Sequence, residues 1–348
     1  MRDNPDCNAW RCKPPARRKG RKEENSLGST KKRAGIGLAA LGVALVIFGL
    51  VWVTIIFPGL KKVPDDLDKT VRYDGVVTMI DPETYQPLNY DVIVTRRCKA
   101  VRCRGEVIYI REDISFVDKE TEQEIVQLRG SDLLAVDRVS RANVPHQGDQ
   151  SREGLWQFPL NVKAGQDYPV QVSGSPTALE ARYVGQEDFM GLNVLVYEVT
   201  TPDGGIDTPG RWDNPEMWLN RWIRLKVEPL SGTTVSFEDA TQKIARIPVF
   251  DELFPQTRPI KFTNMTVYEH HLVFTSETVK QAVHDGKFYR WALPWGNTYL
   301  PWLVFGLGTI MGLSGSILLV RRKAVRAPIA RPVMDGAAAA LYEHGSQS

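Results

Sequence analysis

The sequence predicts a mostly β domain, an antiparallel barrel or sandwich with few helices, held between two transmembrane α-helices. Three observations predict it. Two long runs carry no charge. The chain's charge is split into basic ends and an acidic centre. That centre consists of Val-, Thr- and Tyr-rich segments separated by turn residues.

Of the 348 residues, 43% are hydrophobic and 24% charged, close to a soluble average, which excludes a polytopic membrane protein. Residues 1–33 carry eleven Lys/Arg against four Asp/Glu, and residues 321–348 five against two. With a total of +3, the middle of the chain is net −7.

The first uncharged run is Ala34–Phe57, AGIGLAALGVALVIFGLVWVTIIF, 24 residues. As a helix it would be about 36 Å long, enough to cross a hydrocarbon core of ~30 Å with some tilt. The second, Tyr299–Val320, has 22 residues and is also long enough. Trp291, Trp295, Tyr299 and Trp302 stand at its entrance, where an aromatic belt marks the water–lipid boundary. Pro301 falls in the first turn, where a missing N–H costs little. Soluble core helices rarely run this long without a charge. A cleaved leader is disfavoured because IIFPGLKKVPDD, with no small-x-small site, follows the first run.

Lys/Arg-rich flanks stay in the cytoplasm, and KKRAG and RRKAVR flank the two runs, so both termini are expected inside. The expected order is a cytoplasmic basic arm (1–33), a membrane helix (34–58), an extracytoplasmic domain (59–298), a second membrane helix (299–320) and a cytoplasmic tail (321–348). Lys61 and Lys62 dissent on the outer side. Gly308, Gly312 and Ser316 form a small-residue stripe expected to pack against Ala40 and Ala44.

Within the domain, VRYDGVVTMID (71–81) reads as a strand ending in a DPET turn. YDVIVTRRC (90–98) and GEVIYIRED (105–113) read as a hairpin around CKAVRC. Cys98 and Cys103 would lie in an oxidising compartment. They are expected to form a disulfide, which needs Cα atoms within about 7 Å and so a tight turn through Lys99–Arg102. Cys7 and Cys12 are expected as free thiols, since two cysteines without a nearby histidine make half a zinc site. Further strands are expected over 114–130, 181–205, 221–239 and 261–275. SETVKQAVHDG (276–286) reads as a helix with Ser276 as N-cap and Gly286 as stop. NPEMWLNRW (214–222) reads as a short helix after Asn214, with Pro215 in its first turn and Trp218 and Trp222 on one face.

The sequence carries little sign of catalytic chemistry. H-E-x-x-H, G-x-S-x-G, Walker A and GxGxxG patterns are absent. His270 and His271 are adjacent on a strand and point to opposite faces, so they cannot readily hold one ion. Asp65-Asp66 and Glu112-Asp113 read as solvated acids. No catalytic residue, metal, cofactor or nucleic-acid partner is expected, and the chain is not expected to be an enzyme. What remains is Trp212, Trp218 and Trp222 in RWDNPEMWLNRWIRL, either core packing or a contact surface for lipid or a protein partner.

Four segments carry a resemblance to a known family: VPDDLDKTVRYDGVVTMIDPET after the first run, SREGLWQFPLNV (151–162), ARYVGQEDFMGLNVLVYEV (181–199) and VEPLSGTTV (227–235). With the two apolar runs they resemble the actinobacterial-type porin PorA family over roughly residues 34–320. That family's shape is similar to the class B scavenger receptors, with two membrane helices and a β-rich outer domain around an apolar tunnel. The resemblance implies a cell-envelope protein that binds or transfers lipid or lipoglycan. The alternatives are a structural or assembly partner of an envelope complex, or a porin. It supplies no catalytic residue, and the N-terminal arm and cysteine pairs are not family features. Two apolar helices without a polar stripe do not make an aqueous pore.

Overall fold

The computed structural model describes residues 20–81, 83–173, 175, 177–202, 206–207, 217–249 and 261–325. Its strands are β1 (Asp68–Ile80), β2 (Pro87–Arg104), β3 (Val107–Asp118), β4 (Gly130–Asp137), β5 (Asn143–Gly148) and β6 (Tyr168–Val170). They continue with β7 (Leu179–Phe189), β8 (Leu192–Thr200), β9 (Ile206–Asp207), β10 (Met217–Val227), β11 (Thr234–Val249) and β12 (Lys261–Phe274). The helices are α1 (Gly20–Val51), α2 (Phe57–Leu60), α3 (Ser276–Pro294) and α4 (Leu300–Val325). The chain divides into two compact units: residues 52–300, and the two terminal stretches with α1 and most of α4.

The larger unit is one antiparallel sheet ordered β5-β4-β3-β2-β1-β12-β11-β10-β8-β7-β6, with β9 paired to β10. The mostly β expectation holds. Strand pairing leaves β5 and β6 as open edges, yet residues 154–156 stitch these edges together. On one side Asn143 N–H donates to Gly154 O at 2.9 Å and Trp156 N–H to Arg141 O at 3.0 Å. On the other, Leu155 N–H donates to Pro169 O at 2.8 Å and Gln171 N–H to Leu155 O at 2.9 Å. Gly154 has φ +82°, and a Cβ there would lie 2.7 Å from Ala178 Cβ, so both conformation and space demand glycine.

The inner face carries the core. Val92, Val94, Ile108, Ile110, Leu219, Ile223, Leu225 and Val227 are buried on it at alternate positions. Tyr73, Phe237 and Phe274 pack ring against ring near its middle, with centroids 5.3 to 5.5 Å apart. Three turns share one device, Asp-x-x-Thr/Ser-x. Asp81 accepts from Glu83 N–H and Thr84 Oγ1, Asp118 from Glu120 N–H and Thr121 Oγ1, and Asp137 from Val139 N–H and Ser140 N–H. The fifth residue, Tyr85, Glu122 or Arg141, then takes positive φ.

Three expectations are corrected. First, Cys98 and Cys103 are free, one buried and one exposed. CKAVRC is continuous strand, and the turn is Gly105-Glu106, with Gly105 at φ +62°. Five residues of strand hold the two Cα atoms roughly 16 Å apart, beyond disulfide reach. Second, residues 217–222 belong to β10, not to a helix. Third, Gly286 does not stop α3, whose N-cap is Thr275, accepting from Thr278 N–H. A Cβ on Gly286 would lie 3.1 Å from Leu192 Cδ1, so this glycine permits close packing. Beside it Ala282 and Val283 pack on Leu192, Val194 and Val235.

Two π turns, Trp52–Ile56 and Trp295–Tyr299, each end two residues before a proline, Pro58 and Pro301. A proline removes an N–H from the helical ladder, which accounts for the local widening. The turns meet: Trp52 Nε1 donates to Gly296 O at 2.9 Å.

In the terminal unit α1 and α4 pack through glycine. A Cβ on Gly42 would lie 2.5 Å from Gly312 N, and one on Gly315 2.5 Å from Ala39 N. Gly308 and Gly312 therefore sit in the seam as expected. Gly315 replaces Ser316 there, and Gly35, Ala39 and Gly42 replace Ala40 and Ala44, which are exposed. Only 17% and 11% of the most apolar windows of the helical stretches Arg33–Leu60 and Ser276–Val320 are buried. Such low burial does not fit core helices.

Candidate functional site

MWLNRWIRLKV alternates as a strand should. Leu219, Ile223, Leu225 and Val227 face inward, so Trp218, Asn220 and Trp222 share the outer face. Register brings other strands' residues beside them. Trp222 lies between Thr200 and Ala240, and Ala240 is paired with His271. In the next row Asn220 pairs with Gln242, and Gln242 with Glu269. A concavity of ≈ 790 Å³ opens over these two rows, with Thr201 and Pro202 at its rim. Arg221, Thr241 and His270 also border it. Strand alternation turns their side chains inward, so their backbone forms its floor.

The wall chemistry is mixed. Trp222 offers a flat apolar ring. His271 Nε2 lies 3.0 Å from Glu238 Oε1, and Gln242 Nε2 donates to Thr266 Oγ1 at 3.1 Å. The side chains of Asn220 and Glu269 have no partner among the described residues. One aromatic face ringed by an amide, a carboxylate and hydroxyls suits a polyhydroxylated ligand better than an acyl chain.

A buried polar network stands behind the floor. Arg221 Nε donates to Asp239 Oδ1 at 3.0 Å and Nη2 to Asp239 Oδ2, while Nη1 reaches Ser173 O at 2.6 Å. Thr241 Oγ1 donates to Asp239 Oδ1 at 2.7 Å. His270 Nε2 lies 3.3 Å from Asp239 Oδ2, and its Nδ1 is 2.9 Å from Tyr268 Oη. Burial would raise the Asp239 carboxyl, but Arg221 and His270 hold it well below the usual carboxylate range. Burial, helped by the charge on Asp239, pushes the Tyr268 hydroxyl up. The network thus pins β10, β11 and β12 in register beneath the concavity.

The chain matches the family described as Porin PorA over residues 34–317. It belongs to the PorA porin family. No curated protein matches this PorA-family chain. Among solved structures, a DUF1329 family protein from Desulfovibrio piger is similar at 11% identity, covering 68% of this chain and 91% of its own, with a TM-score of 0.18. That likeness is too low to inform the site.

The structure brings Trp222 into the concavity and leaves Trp218 farther along the same face. Trp212 lies outside the described residues, as do Cys7, Cys12, Asn214 and Pro215. Trp291, Trp295 and Tyr299 are exposed and contact one another in turn as tilted rings, with centroids 5.7 and 5.4 Å apart. Trp302, in the terminal unit, is 74% exposed. His271 faces out and His270 in. Glu269 stands out in the sequence only as part of the titratable run Glu269-His270-His271, and Asn220 and Gln242 carry no signal there; the three converge only through the pairing of three strands.

Proposed function

We propose that this PorA-family protein is a non-enzymatic, two-pass protein of the cell envelope, with both termini cytoplasmic, that binds a lipoglycan or glycolipid by its glycan part. The observation that supports the site is the placement of Trp222 beside Asn220, Gln242, Glu269 and Thr200 on an open outer face. An aromatic ring packs against the C–H face of a sugar while amide and carboxylate groups take its hydroxyls. Transfer between membranes would use the same site, since an open concavity exchanges its occupant readily.

A pore formed between the two helices of one chain is disfavoured by packing. Their seam has no room for a methyl group at Gly42, so no aqueous path runs between them. The test is co-purification. The full chain, extracted in mild detergent from its own membrane, is expected to carry lipoglycan detectable by mass spectrometry, and Trp222→Ala with Gln242→Ala is expected to lose it. Equal lipoglycan on the wild type and the double variant would contradict the assignment.

A further inference from the structure

We propose that the outer face of the β2–β3 hairpin docks on the anionic headgroups of the bilayer from which the first apolar helix emerges. The proposal is independent of the glycan site and rests on Arg33–Leu60 being a membrane span.

The pairing of β2 with β3 contains a bulge. Lys99 pairs with Arg111 and Ala100 with Ile110, but the next pairs are Arg102 with Tyr109 and Arg104 with Val107, which leaves Val101 unpaired. Before the bulge, Val92, Val94 and Cys98 are buried inward, so Arg97 and Lys99 face out. One inserted residue inverts the alternation, and Arg102 and Arg104 join the same face. Without it Lys99 and Arg102 would point to opposite sides. Arg111, directly opposite Lys99, completes the set.

Lys99 has Asp68 opposite it on β1 but Arg111 opposite it on β3, and a like-charge pair weakens a sheet, so folding alone does not account for the four cations. Nor does composition, because the central part of the chain is net negative. Asp68 neutralises Arg97 with two bonds of 2.9 and 2.6 Å. Among the described residues, Lys99, Arg102, Arg104 and Arg111 have no carboxylate within salt-bridge distance. Arg102 lies instead over the Tyr109 ring, 4.1 Å from its centroid.

Position identifies the occupant. The apolar stretch ends at Leu60. Two residues on, at most about 7 Å of chain, Lys62 Nζ bonds Glu106 Oε1 at 2.8 Å in the hairpin turn. Arg138 N–H donates to Glu106 O at 2.8 Å, and Ala100 N–H to Leu67 O at 2.7 Å, so the hairpin tip is fixed beside the end of the span. The exposed Asp65 and Asp66 share this loop and subtract from the patch without pairing with it. A cationic face tied within a few residues of the end of the apolar stretch is in reach of the headgroup layer, where each Lys or Arg near an anionic surface favours contact about fivefold. Lys62, out of place by the positive-inside rule, ties the end of the span to the hairpin turn through Glu106, and Lys61 reaches Asn297 instead.

Cys103 alternates with Arg102 and Arg104 and so points to the other side of the strand, but it is exposed beside the turn and reports the approach of the hairpin tip to the bilayer, while Cys98 is buried. The full chain with Cys7→Ser and Cys12→Ser carries an environment-sensitive fluorophore on Cys103. It is placed in nanodiscs of phosphatidylcholine, alone or mixed with phosphatidylglycerol. The expected result is a blue shift only with phosphatidylglycerol, abolished by high salt. In Lys99→Gln/Arg102→Gln/Arg104→Gln/Arg111→Gln, the ratio of contacting to free label falls at least about tenfold. Lys99→Gln/Arg104→Gln, which keeps the stacked Arg102, is expected in between. Equal emission in both lipids would overturn the proposal and leave the cations to an acidic protein partner. The same shift produced by inorganic phosphate in phosphatidylcholine discs would overturn it in favour of a free anion. Failure to enter any nanodisc would refute the span itself.

Discussion

Asp239 shows how one carboxylate holds three strands. Arg221 makes two bonds to it, Thr241 a third, and His270 closes the far side. Removing the charge leaves a buried guanidinium unpaired, which costs about 3–5 kcal/mol. Because its folded-state pKa is depressed, the stability it contributes is whole above the unfolded value near 3.9 and drains away as pH falls below it. Denaturant midpoints should therefore decline below about pH 4 in the wild type. Asp239→Asn should unfold more easily at neutral pH and show a shallower acid limb; an unchanged midpoint at pH 7 would contradict the network's role. The cysteines give a second test at this scale. Burial pushes the Cys98 thiol up to about 11, whereas Cys103 is exposed. Iodoacetamide at pH 8 should alkylate Cys103 in the folded chain and spare Cys98 until denaturation. A Cys98–Cys103 disulfide peptide in a non-reducing digest would contradict the strand geometry. The sequence favoured that disulfide because both cysteines fall in the expected oxidising compartment and a tight turn through Lys99–Arg102 would bring them together; the chain turns instead at Gly105-Glu106, where glycine takes the positive φ.

Among the elements, what was legible depended on period. Trp218 and Trp222 share a face in the strand, as they would in the expected helix, because a spacing of four is nearly a turn of helix and two repeats of strand. The pairing therefore survived a wrong element. The Asn220–Gln242–Glu269 row was not legible, since it depends on which strands neighbour which. The helix pair shows the same division. Apolar length marked both helices, but the facing residues depend on rotation about each axis, so Gly35, Ala39, Gly42 and Gly315 entered the seam unannounced. Gly42→Leu should force the helices toward the ~8–10 Å spacing of ordinary pairs. Spin labels at the exposed Val43 and Ile310 would read that separation, and an unchanged distance would show the seam to be tolerant.

For the whole molecule, the larger unit depends on a short splice. Residues 154–156 join the two open edges, and they lie in SREGLWQFPLNV, one of the stretches that carry the family resemblance. The sequence marked the segment, but its closing role needs contacts on both sides that only the fold supplies. Gly154→Ala would force a Cβ against Ala178 and should cost about 1–3 kcal/mol. Hydrogen exchange should then quicken at the amides of Asn143, Leu155, Trp156 and Gln171 before the rest of the sheet; uniform quickening would argue against a local splice. The central functional claim concerns the opposite flank, where the outer face of β10, β11 and β12 presents Trp222. Its most direct test is calorimetric titration of the detergent-solubilised full chain with the deacylated glycan of an envelope lipoglycan. Saturable binding that Trp222→Ala weakens at least about tenfold is the predicted result. No binding of the glycan, or an affinity indifferent to Trp222, would contradict it.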